Sequence, residues 1–193
     1  MDWKDILAVT NRTLCAGDFL PQLDRVARGQ PKAVILREKD LPAEAYRDLA
    51  GEAQEICRQY AVPLYLHSFS QVADAVSADG LHMPLPKLRQ LAADRRQDWK
   101  VLGTSCHSVE DVQEAVASGC TYIVAGHIYE TDCKQGLPGR GLAFLQAACQ
   151  AAGDVPVYAI GGITPERLPE VLAAGAAGAC VMSGMMKVSS WWR

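Results

Sequence analysis

The sequence lacks the patterns that organise small secreted domains and zinc-binding domains. Its seven cysteines are odd in number, stand at irregular intervals and never form a C-x-x-C pair. A disulfide or structural zinc framework needs paired or closely spaced cysteines, so neither is expected. We predict that most of the cysteines are small core residues. Cys106 and Cys133 are set apart because they stand beside other ionisable residues.

Long apolar runs, leader-like segments and low-complexity linkers are also missing. No apolar segment approaches the roughly 20 residues of a membrane span, and residues 1–5 contain no basic stretch followed by an apolar run. We therefore expect a cytoplasmic protein with no membrane partner. The net charge of -3 gives no support for a nucleic-acid partner. Without a Ser-, Pro- or Gly-rich tract, residues 1–193 are predicted to form a single domain.

What the sequence does contain is a series of short apolar runs separated by longer amphipathic stretches. Near-continuous apolar character is typical of strands buried on both faces of a parallel sheet. The predicted strands are 6–10, 33–37, 63–67, 80–83, 100–105, 122–126, 155–160 and 178–182. Helical periodicity marks 41–60 and 108–118, where Ser108 and Asp111 resemble a capping box. Thr164 followed by Pro165 indicates a further helix start.

This alternation fits two α/β folds, a compact single-domain (β/α)8 TIM barrel and a doubly wound open sheet. The strand count favours the barrel, and no G-x-G-x-x-G follows the first strand to support a dinucleotide-binding sheet. In a barrel, function lies at the carboxyl ends of the strands. All four histidines of the chain fall at predicted strand ends: His67, His82, His107 and His127.

Two glycine-containing turns predict a phosphate site. Gly161 and Gly162 follow the seventh strand, and Met182 and Ser183 follow the eighth. Backbone N–H groups at such turns can approach an anion closely, and barrels commonly bind phosphate between these two loops. We expect a phosphorylated small-molecule ligand. The alternative is that the glycines serve only tight turns.

Charged residues follow the second and sixth strands. Arg37 and Lys39 can neutralise a carboxylate or phosphate, or they belong to a solvated turn. In the segment GHIYETDCK, His127 is a candidate acid and base because the unperturbed pKa of imidazole lies nearest neutrality. Lys134 can reach a phosphate, whereas Glu130 or Asp132 either orients His127 or is solvated. A zinc or iron site made of the four histidines is a weaker alternative, because barrel metal sites usually include carboxylates.

Taken together, five ordered motifs resemble those of the thiamine phosphate synthase superfamily. They are Arg37–Lys39, Gly103–His107, Gly126–Lys134, Ala159–Ile163 and Ser183. The match extends from the second to the eighth predicted strand, which is most of the chain. The resemblance implies a barrel enzyme that acts on a thiazole phosphate.

The synthase branch of that superfamily holds magnesium with two aspartates and carries an Asn-Asp pair after the third strand. Here His67 and Ser68 occupy the Asn-Asp position, and residues 81–88 contain no aspartate. Ile35 replaces an expected glutamine, and residues 131–134 read Thr-Asp-Cys-Lys instead of Thr-x-Thr-Lys. Because diphosphate and its metal depend on carboxylates, these departures argue against synthase activity.

The departures resemble instead the thiazole tautomerase branch, the TenI type. His127 stands where the synthase has proline, and GLPGRG follows GHIYETDCK. This resemblance implies a cofactor-free isomerase that aromatises a carboxythiazole phosphate by moving a proton from the carboxylate-bearing ring carbon to the exocyclic carbon. His127 is the predicted catalytic residue, with no metal. The predicted substrate-binding residues are Arg37, Lys39, Ser105, Thr131, Lys134, Gly161, Gly162, Met182 and Ser183.

Several alternatives stay open at the level of sequence. A thiamine phosphate synthase-like transferase and a non-catalytic protein that binds thiazole or thiamine phosphates compete with the tautomerase, and a metal-dependent sugar-phosphate epimerase is a weaker fourth. Participation of Cys106 or Cys133 in proton transfer is likewise undecided. Trp191 and Trp192 either line the interface of a possible homodimer or pack on the protein itself.

Overall fold

Eight parallel β-strands form a closed barrel in the order β1 to β8. This computed structural model describes residues 3–134, 136–187 and 190–192. The strands are β1 Ile6–Val9, β2 Ala33–Leu36, β3 Leu64–His67, β4 Gly80–Pro84, β5 Leu102–Cys106, β6 Tyr122–Gly126, β7 Val157–Ile160 and β8 Gly178–Val181. Each predicted apolar run overlaps one of them, and β4 and β5 extend one residue beyond their runs, so the (β/α)8 prediction is confirmed.

Helices connect the strands. They are α1 Phe19–Arg28, α2 Ala43–Gln59, α3 Ser70–Ala75, α4 Leu85–Gln90, α5 Ala93–Gln97, α6 Val109–Ala117, α7 Gly141–Ala152, α8 Leu168–Ala173 and α9 Ser183–Met186. Short 3₁₀ turns occur at Arg12–Leu14, Asp132–Lys134 and Ser190–Trp192. Within the described ranges, none of these helices combines the length and apolar character that a membrane crossing requires.

The start of α6 follows the predicted capping pattern with one difference. The Ser108 hydroxyl accepts a hydrogen bond from the Asp111 N–H at 3.1 Å, as an N-cap does. The Asp111 carboxylate, however, accepts from the N–H of His107 at 2.8 Å, one residue before the cap. The cap therefore fixes the main chain of a residue that follows β5.

The helix predicted from Thr164 and Pro165 begins three residues later than its first helical position, at Leu168. The Thr164 carbonyl accepts from Arg167 N–H at 3.0 Å and from Leu168 N–H at 3.1 Å, which closes a turn. A helix that began at Pro165 would need an N–H from Pro169 for the Pro165 carbonyl. Proline has no such donor, so a turn precedes α8.

The chain divides into two compact units. The first contains residues 1–82 and 181–193, and the second contains residues 83–180. In the first unit, β1, β2 and β3 pair in parallel, and His67 is in register with His82. In the second unit, β5, β6 and β7 pair in parallel, and Gly126 is in register with Ile160. The single domain over residues 1–193 stays a prediction.

The C-terminal tryptophans pack on other residues of the first unit. The ring of Trp192 meets that of Trp3 edge to face at 5.1 Å, and the Arg25 guanidinium lies 4.9 Å from the centre of the Trp192 ring. The Trp192 indole N–H donates to the carbonyls of Gly184 and Lys187, each at 3.1 Å. The Trp192 ring thus has partners within the chain and Trp191 is buried, and the possible homodimer stays a prediction.

Burial of the cysteines agrees with their predicted core role at four positions: Cys57, Cys106, Cys120 and Cys180 are buried. Cys15 and Cys149 are partly exposed, and these six cysteines are free thiols. The side chain of Cys133 lies outside the described part of the structure.

Candidate active site

In the second unit, the residues that follow β5, β6 and β7 are close neighbours. An imidazole nitrogen of His107, after β5, lies 2.8 Å from the carbonyl oxygen of Gly126, the last residue of β6. A Cβ atom added to Gly161, after β7, would lie 2.4 Å from the Cβ of His127. The structure therefore brings the predicted catalytic histidine together with a second histidine and one of the two predicted glycines.

The peptide group that follows His127 is held at both its carbonyl and its N–H. Its carbonyl accepts from the N–H of Arg140 at 2.9 Å, and the next residue, Ile128, donates its N–H to the Ile160 carbonyl at 2.8 Å. The peptide bond between Gly126 and His127 is cis. Because these partners belong to strand ends and to the start of α7, the position of the His127 backbone is fixed by the scaffold.

The ring of His127 is held by a backbone carbonyl. Its Nε2 lies 3.3 Å from the carbonyl oxygen of Leu137. A carbonyl oxygen can only accept, so Nε2 carries the proton in this arrangement. In the neutral ring Nδ1 then has a free lone pair, and no described residue makes a hydrogen bond to it. The partner of the ring is thus not the carboxylate of Glu130 or Asp132 that the sequence suggested.

Gly161 and Gly162 pack against the loop that carries His127. Both have left-handed backbones, with φ of +102° and +64°, which favour glycine. A Cβ atom on Gly162 would lie 2.4 Å from the Glu130 carbonyl oxygen. The Gly162 carbonyl also accepts from Arg167 Nη1 at 2.7 Å. Close approach of two loops accounts for both glycines, and their predicted phosphate contacts stay predictions.

A cavity of about 470 Å³ opens in the loop that follows His127. Its lining residues are Glu130, Thr131, Asp132, Lys134, Gly136, Leu137 and Pro138. Thr131 and Lys134, the predicted phosphate contacts of this loop, therefore share one concave surface. The 3₁₀ turn brings them together, since the Lys134 N–H donates to the Thr131 carbonyl at 2.9 Å.

Charge in this cavity is mixed. Lys134 supplies the positive charge among its described lining residues, whereas Glu130 and Asp132 are exposed carboxylates. Water screens exposed carboxylates, so their repulsion of an anion is weak.

Tyr129, two residues after His127, connects this loop to Glu170 and Arg167. Its hydroxyl donates to the Glu170 carboxylate at 2.7 Å, and the Arg167 guanidinium lies 4.4 Å from the centre of its ring. Desolvation, together with the hydrogen bond to Glu170, raises the pKa of Tyr129 to about 12. The phenol therefore stays protonated near neutral pH and keeps donating this bond.

Ser105 and Cys106, on β5, differ in their surroundings. Ser105, a predicted substrate contact, is partly exposed. Cys106 is fully buried, and this burial raises the pKa of its thiol to about 12. A neutral, buried thiol does not supply the thiolate that proton abstraction would need. This argues against a role for Cys106 in proton transfer.

The first unit contains the other predicted substrate contacts. The Arg37 guanidinium Nη1 lies 3.8 Å from the sulfur of Met182, so these two residues do meet. Lys39 and Ser183 are exposed, and Ser183 opens the four-residue helix α9. The predicted roles of all four residues in binding substrate stay predictions.

A buried carboxylate in the first unit was missed by the sequence analysis. The side chain of Glu38 is 1% exposed and accepts from the Thr10 hydroxyl at 2.6 Å and from the Arg12 N–H at 3.0 Å. The Thr10 hydroxyl in turn accepts from the N–H of Arg37 at 2.9 Å. The Arg12 guanidinium also pairs with both oxygens of Asp40 and lowers its pKa. The position of Glu38 at a strand end was visible in the sequence, but its partners across the sheet were not.

The ends of β3 and β4 carry two stacked histidines. The ring centres of His67 and His82 are 5.6 Å apart, and the rings are inclined by 20°. Burial, with a contribution from Arg37, lowers the pKa of His82 to about 3. The Ser68 hydroxyl lies 2.8 Å from Nδ1 of His67.

The residues at these two strand ends do not fit the magnesium ion of the synthase branch. Magnesium prefers oxygen ligands, above all carboxylates, and these ends present two imidazoles and a hydroxyl. Over the described ranges, no group of three or more His, Cys, Asp or Glu side chains is arranged to hold a metal ion.

Comparison with known proteins defines the family. The thiamine monophosphate synthase family (TMP-TENI) matches residues 6–185. A thiamine-phosphate synthase of Syntrophomonas wolfei is 34% identical over 188 residues, covering 94% of this chain and 88% of the relative. A thiamine-phosphate synthase of Clostridium acetobutylicum is 31% identical over 191 residues, covering 96% of this chain and 88% of the relative.

A solved structure agrees on the fold. Thiamine phosphate pyrophosphorylase from Pyrococcus furiosus superimposes with a TM-score of 0.81 at 24% identity, covering 98% of this chain and 91% of the other. The family is enzymatic and serves thiamine biosynthesis. From the family match and the two sequence relatives, this chain belongs to the thiamine monophosphate synthase family.

Proposed function

We propose that the chain is a thiazole tautomerase that aromatises a carboxythiazole phosphate by metal-free proton transfer at His127. The observation that carries the proposal is the state of this ring. Its Nε2–H is directed at the Leu137 carbonyl, and Nδ1 has no hydrogen-bond partner among the described residues. A fixed imidazole with one available lone pair is the group that such a reaction needs.

In the proposed reaction, Nδ1 of His127 takes the proton from the ring carbon that bears the carboxylate. The electron pair of that C–H bond is delocalised through the ring to the exocyclic carbon. The imidazolium then returns its Nδ1 proton to the exocyclic carbon, so that no atom or electron is gained or lost overall. Aromatisation makes the change favourable. The Leu137 carbonyl stabilises the imidazolium by accepting its other N–H.

The loop cavity supports a phosphate anchor in the same unit. Lys134 and Thr131 line it together with Leu137, whose carbonyl holds the histidine. A phosphate bound there would lie in the same loop as His127, and the attached thiazole could then extend towards that histidine. Arg37, Lys39, Met182 and Ser183 remain predicted substrate contacts, and no step of the proposed reaction depends on them.

Thiamine-phosphate synthase activity is the second candidate. It is favoured by the names of the relatives, which are 31% to 35% identical to this chain. The residues at the ends of β3 and β4 disfavour it, because His67 and Ser68 stand where the synthase has its Asn-Asp pair and residues 81–88 contain no aspartate to hold magnesium diphosphate.

Two parallel assays on the purified chain test the proposal. In one, the carboxythiazole phosphate tautomer is supplied with EDTA and aromatisation is followed by proton NMR. In the other, pyrimidine diphosphate, thiazole phosphate and magnesium are supplied and thiamine phosphate is measured. We expect turnover in the first assay only. A His127→Gln variant should lose about 10²- to 10⁴-fold in kcat, the usual contribution of an acid–base group.

The other outcomes are equally informative. Thiamine phosphate formation without tautomer turnover would establish the transferase and overturn the proposal. Tight binding of thiazole phosphate with no turnover in either assay would identify a binding protein. If His127→Gln, folded by circular dichroism, turned over the tautomer within about twofold of the wild-type rate, the role of His127 would be wrong.

A further inference from the structure

We propose that His107 is a positioning residue for His127 and that it acts through its Nδ1–H on the carbonyl of Gly126. The inference rests on the proposed function, in which His127 moves the proton. His107 itself touches neither His127 nor a substrate in this proposal. It sets the orientation of the peptide group from which His127 begins.

The hydrogen bond itself identifies the active nitrogen of His107. Nδ1 lies 2.8 Å from the carbonyl oxygen of Gly126, and that oxygen can only accept. Nδ1 therefore carries a proton. The accepting carbonyl belongs to the peptide group whose nitrogen is that of His127, so the bond restrains the plane of that group.

Gly126 has no side chain with which to fix its own carbonyl. A Cβ atom at this position would lie 2.4 Å from the carbonyl oxygen of Ile160, so the close approach of β6 to β7 requires glycine. On the other side of His127, the Arg140 N–H holds the next carbonyl at 2.9 Å. His107 thus supplies the restraint on the N-terminal side, and Arg140 supplies it on the C-terminal side.

His107 is itself anchored by the start of α6. Its backbone N–H donates to the Asp111 carboxylate at 2.8 Å, and the Asp111 N–H donates to the Ser108 hydroxyl at 3.1 Å. A continuous series of hydrogen bonds therefore runs from the cap of α6 through His107 to the peptide group of His127. His107 is exposed, and its Nε2 has no hydrogen-bond partner among the described residues.

Two amide substitutions separate the two nitrogens of His107. The side-chain nitrogen of asparagine can take the place of Nδ1, whereas that of the longer glutamine can take the place of Nε2. We expect His107→Asn to keep kcat within about threefold of wild type. His107→Gln and His107→Ala should lower kcat about 10- to 100-fold with little change in KM, because misplacing a catalytic group by about 1 Å can cost about 10²-fold.

A second measurement does not need turnover. Nitrogen-15 NMR of the imidazole rings reports which nitrogen of His127 carries the proton. Wild type and His107→Asn should both show the Nε2–H form, whereas His107→Gln and His107→Ala should shift the His127 ring towards a mixture of tautomers. Urea midpoints show whether each variant is folded.

The outcomes separate this inference from the proposed function. If His107→Gln retained activity and His107→Asn lost it, His107 would act through Nε2 and the inference would be wrong. Equal activity and an unchanged His127 spectrum in all three variants would also overturn it, with the tautomerase intact. If the wild type did not turn over the tautomer, the proposed function would fail, and the NMR comparison would still decide whether His107 positions His127.

Discussion

At the scale of single residues, backbone carbonyls hold the rings of the two histidines in the second unit, His107 and His127. Leu137 accepts from His127, and Gly126 accepts from His107. The sequence indicated both histidines, because each lies within two residues of the end of a predicted strand. It did not indicate their partners, because every residue has a carbonyl and only the fold selects one. Glu130 and Asp132 were candidate partners because their carboxylates are near His127 in the sequence, but neither holds the His127 ring.

Gly161 provides a test of how tightly the loops fit around His127. Alanine at this position would meet the His127 Cβ at 2.4 Å and would also adopt a left-handed φ of +102°. We expect Gly161→Ala to lower the free energy of unfolding by more than the roughly 1–3 kcal/mol that such backbone strain costs. It should also reduce tautomer turnover at least tenfold, since His127 must move.

Gly175 is the matched control for this change. It has a similar φ of +98°, but an added Cβ would have its nearest contact at 3.5 Å, an ordinary packing distance. Gly175→Ala should therefore show the strain cost alone in urea unfolding and should keep its turnover. Equal turnover in the two variants would mean that the contact with His127 has no influence on the reaction.

At the scale of elements, the strands were predictable and the connections less so. Continuous apolar runs identify strands such as β6, because their burial on both faces leaves a clear pattern. The start of α8 was predicted too early, because the effect of Pro169 on the preceding turn outweighs the Thr164–Pro165 signal. The residue types predicted the Ser108 cap of α6. The hydrogen bond from the His107 N–H to the Asp111 carboxylate was not predictable, because it depends on where β5 ends.

Substitution of Ser108 tests how much its N-cap hydrogen bond stabilises α6. Loss of its hydroxyl leaves the Asp111 N–H without its cap, which should lower the free energy of unfolding by about 1 kcal/mol in Ser108→Ala. Ser118, at the C-terminal end of the same helix, provides the control, and Ser118→Ala should stay within about 0.5 kcal/mol of wild type. Identical urea midpoints for the two variants would contradict the capping role of Ser108.

At the scale of the whole molecule, stability should depend on pH through a buried histidine that the proposed reaction does not use. His82 is buried and stacked on His67, and its pKa falls from the ordinary 6.5 to about 3, mainly through burial and also through Arg37. The unfolded chain gains a proton at this site below about pH 6.5, whereas the folded chain stays neutral down to about pH 3. Acidification therefore favours the unfolded chain.

The contribution of His82 to the free energy of unfolding has a definite sign and a definite pH range. Stability due to neutral His82 is complete above about pH 6.5 and is lost as the pH falls towards 3, with a limiting slope of about 1.4 kcal/mol per pH unit. Urea unfolding of wild type and His82→Gln at several pH values in this range measures it. The wild type should lose stability more steeply than the variant. Parallel curves would show that His82 does not contribute.

The packing of the tryptophans has an optical consequence. Trp3, Trp191 and Trp192 belong to the first unit, and Trp99 is the tryptophan of the second. Intrinsic fluorescence in a Trp99→Phe variant therefore reports the melting of the first unit alone, whereas far-ultraviolet circular dichroism reports the helices of both. Superimposable transitions from the two signals would mark residues 1–193 as one thermodynamic domain, and separated transitions would mark two.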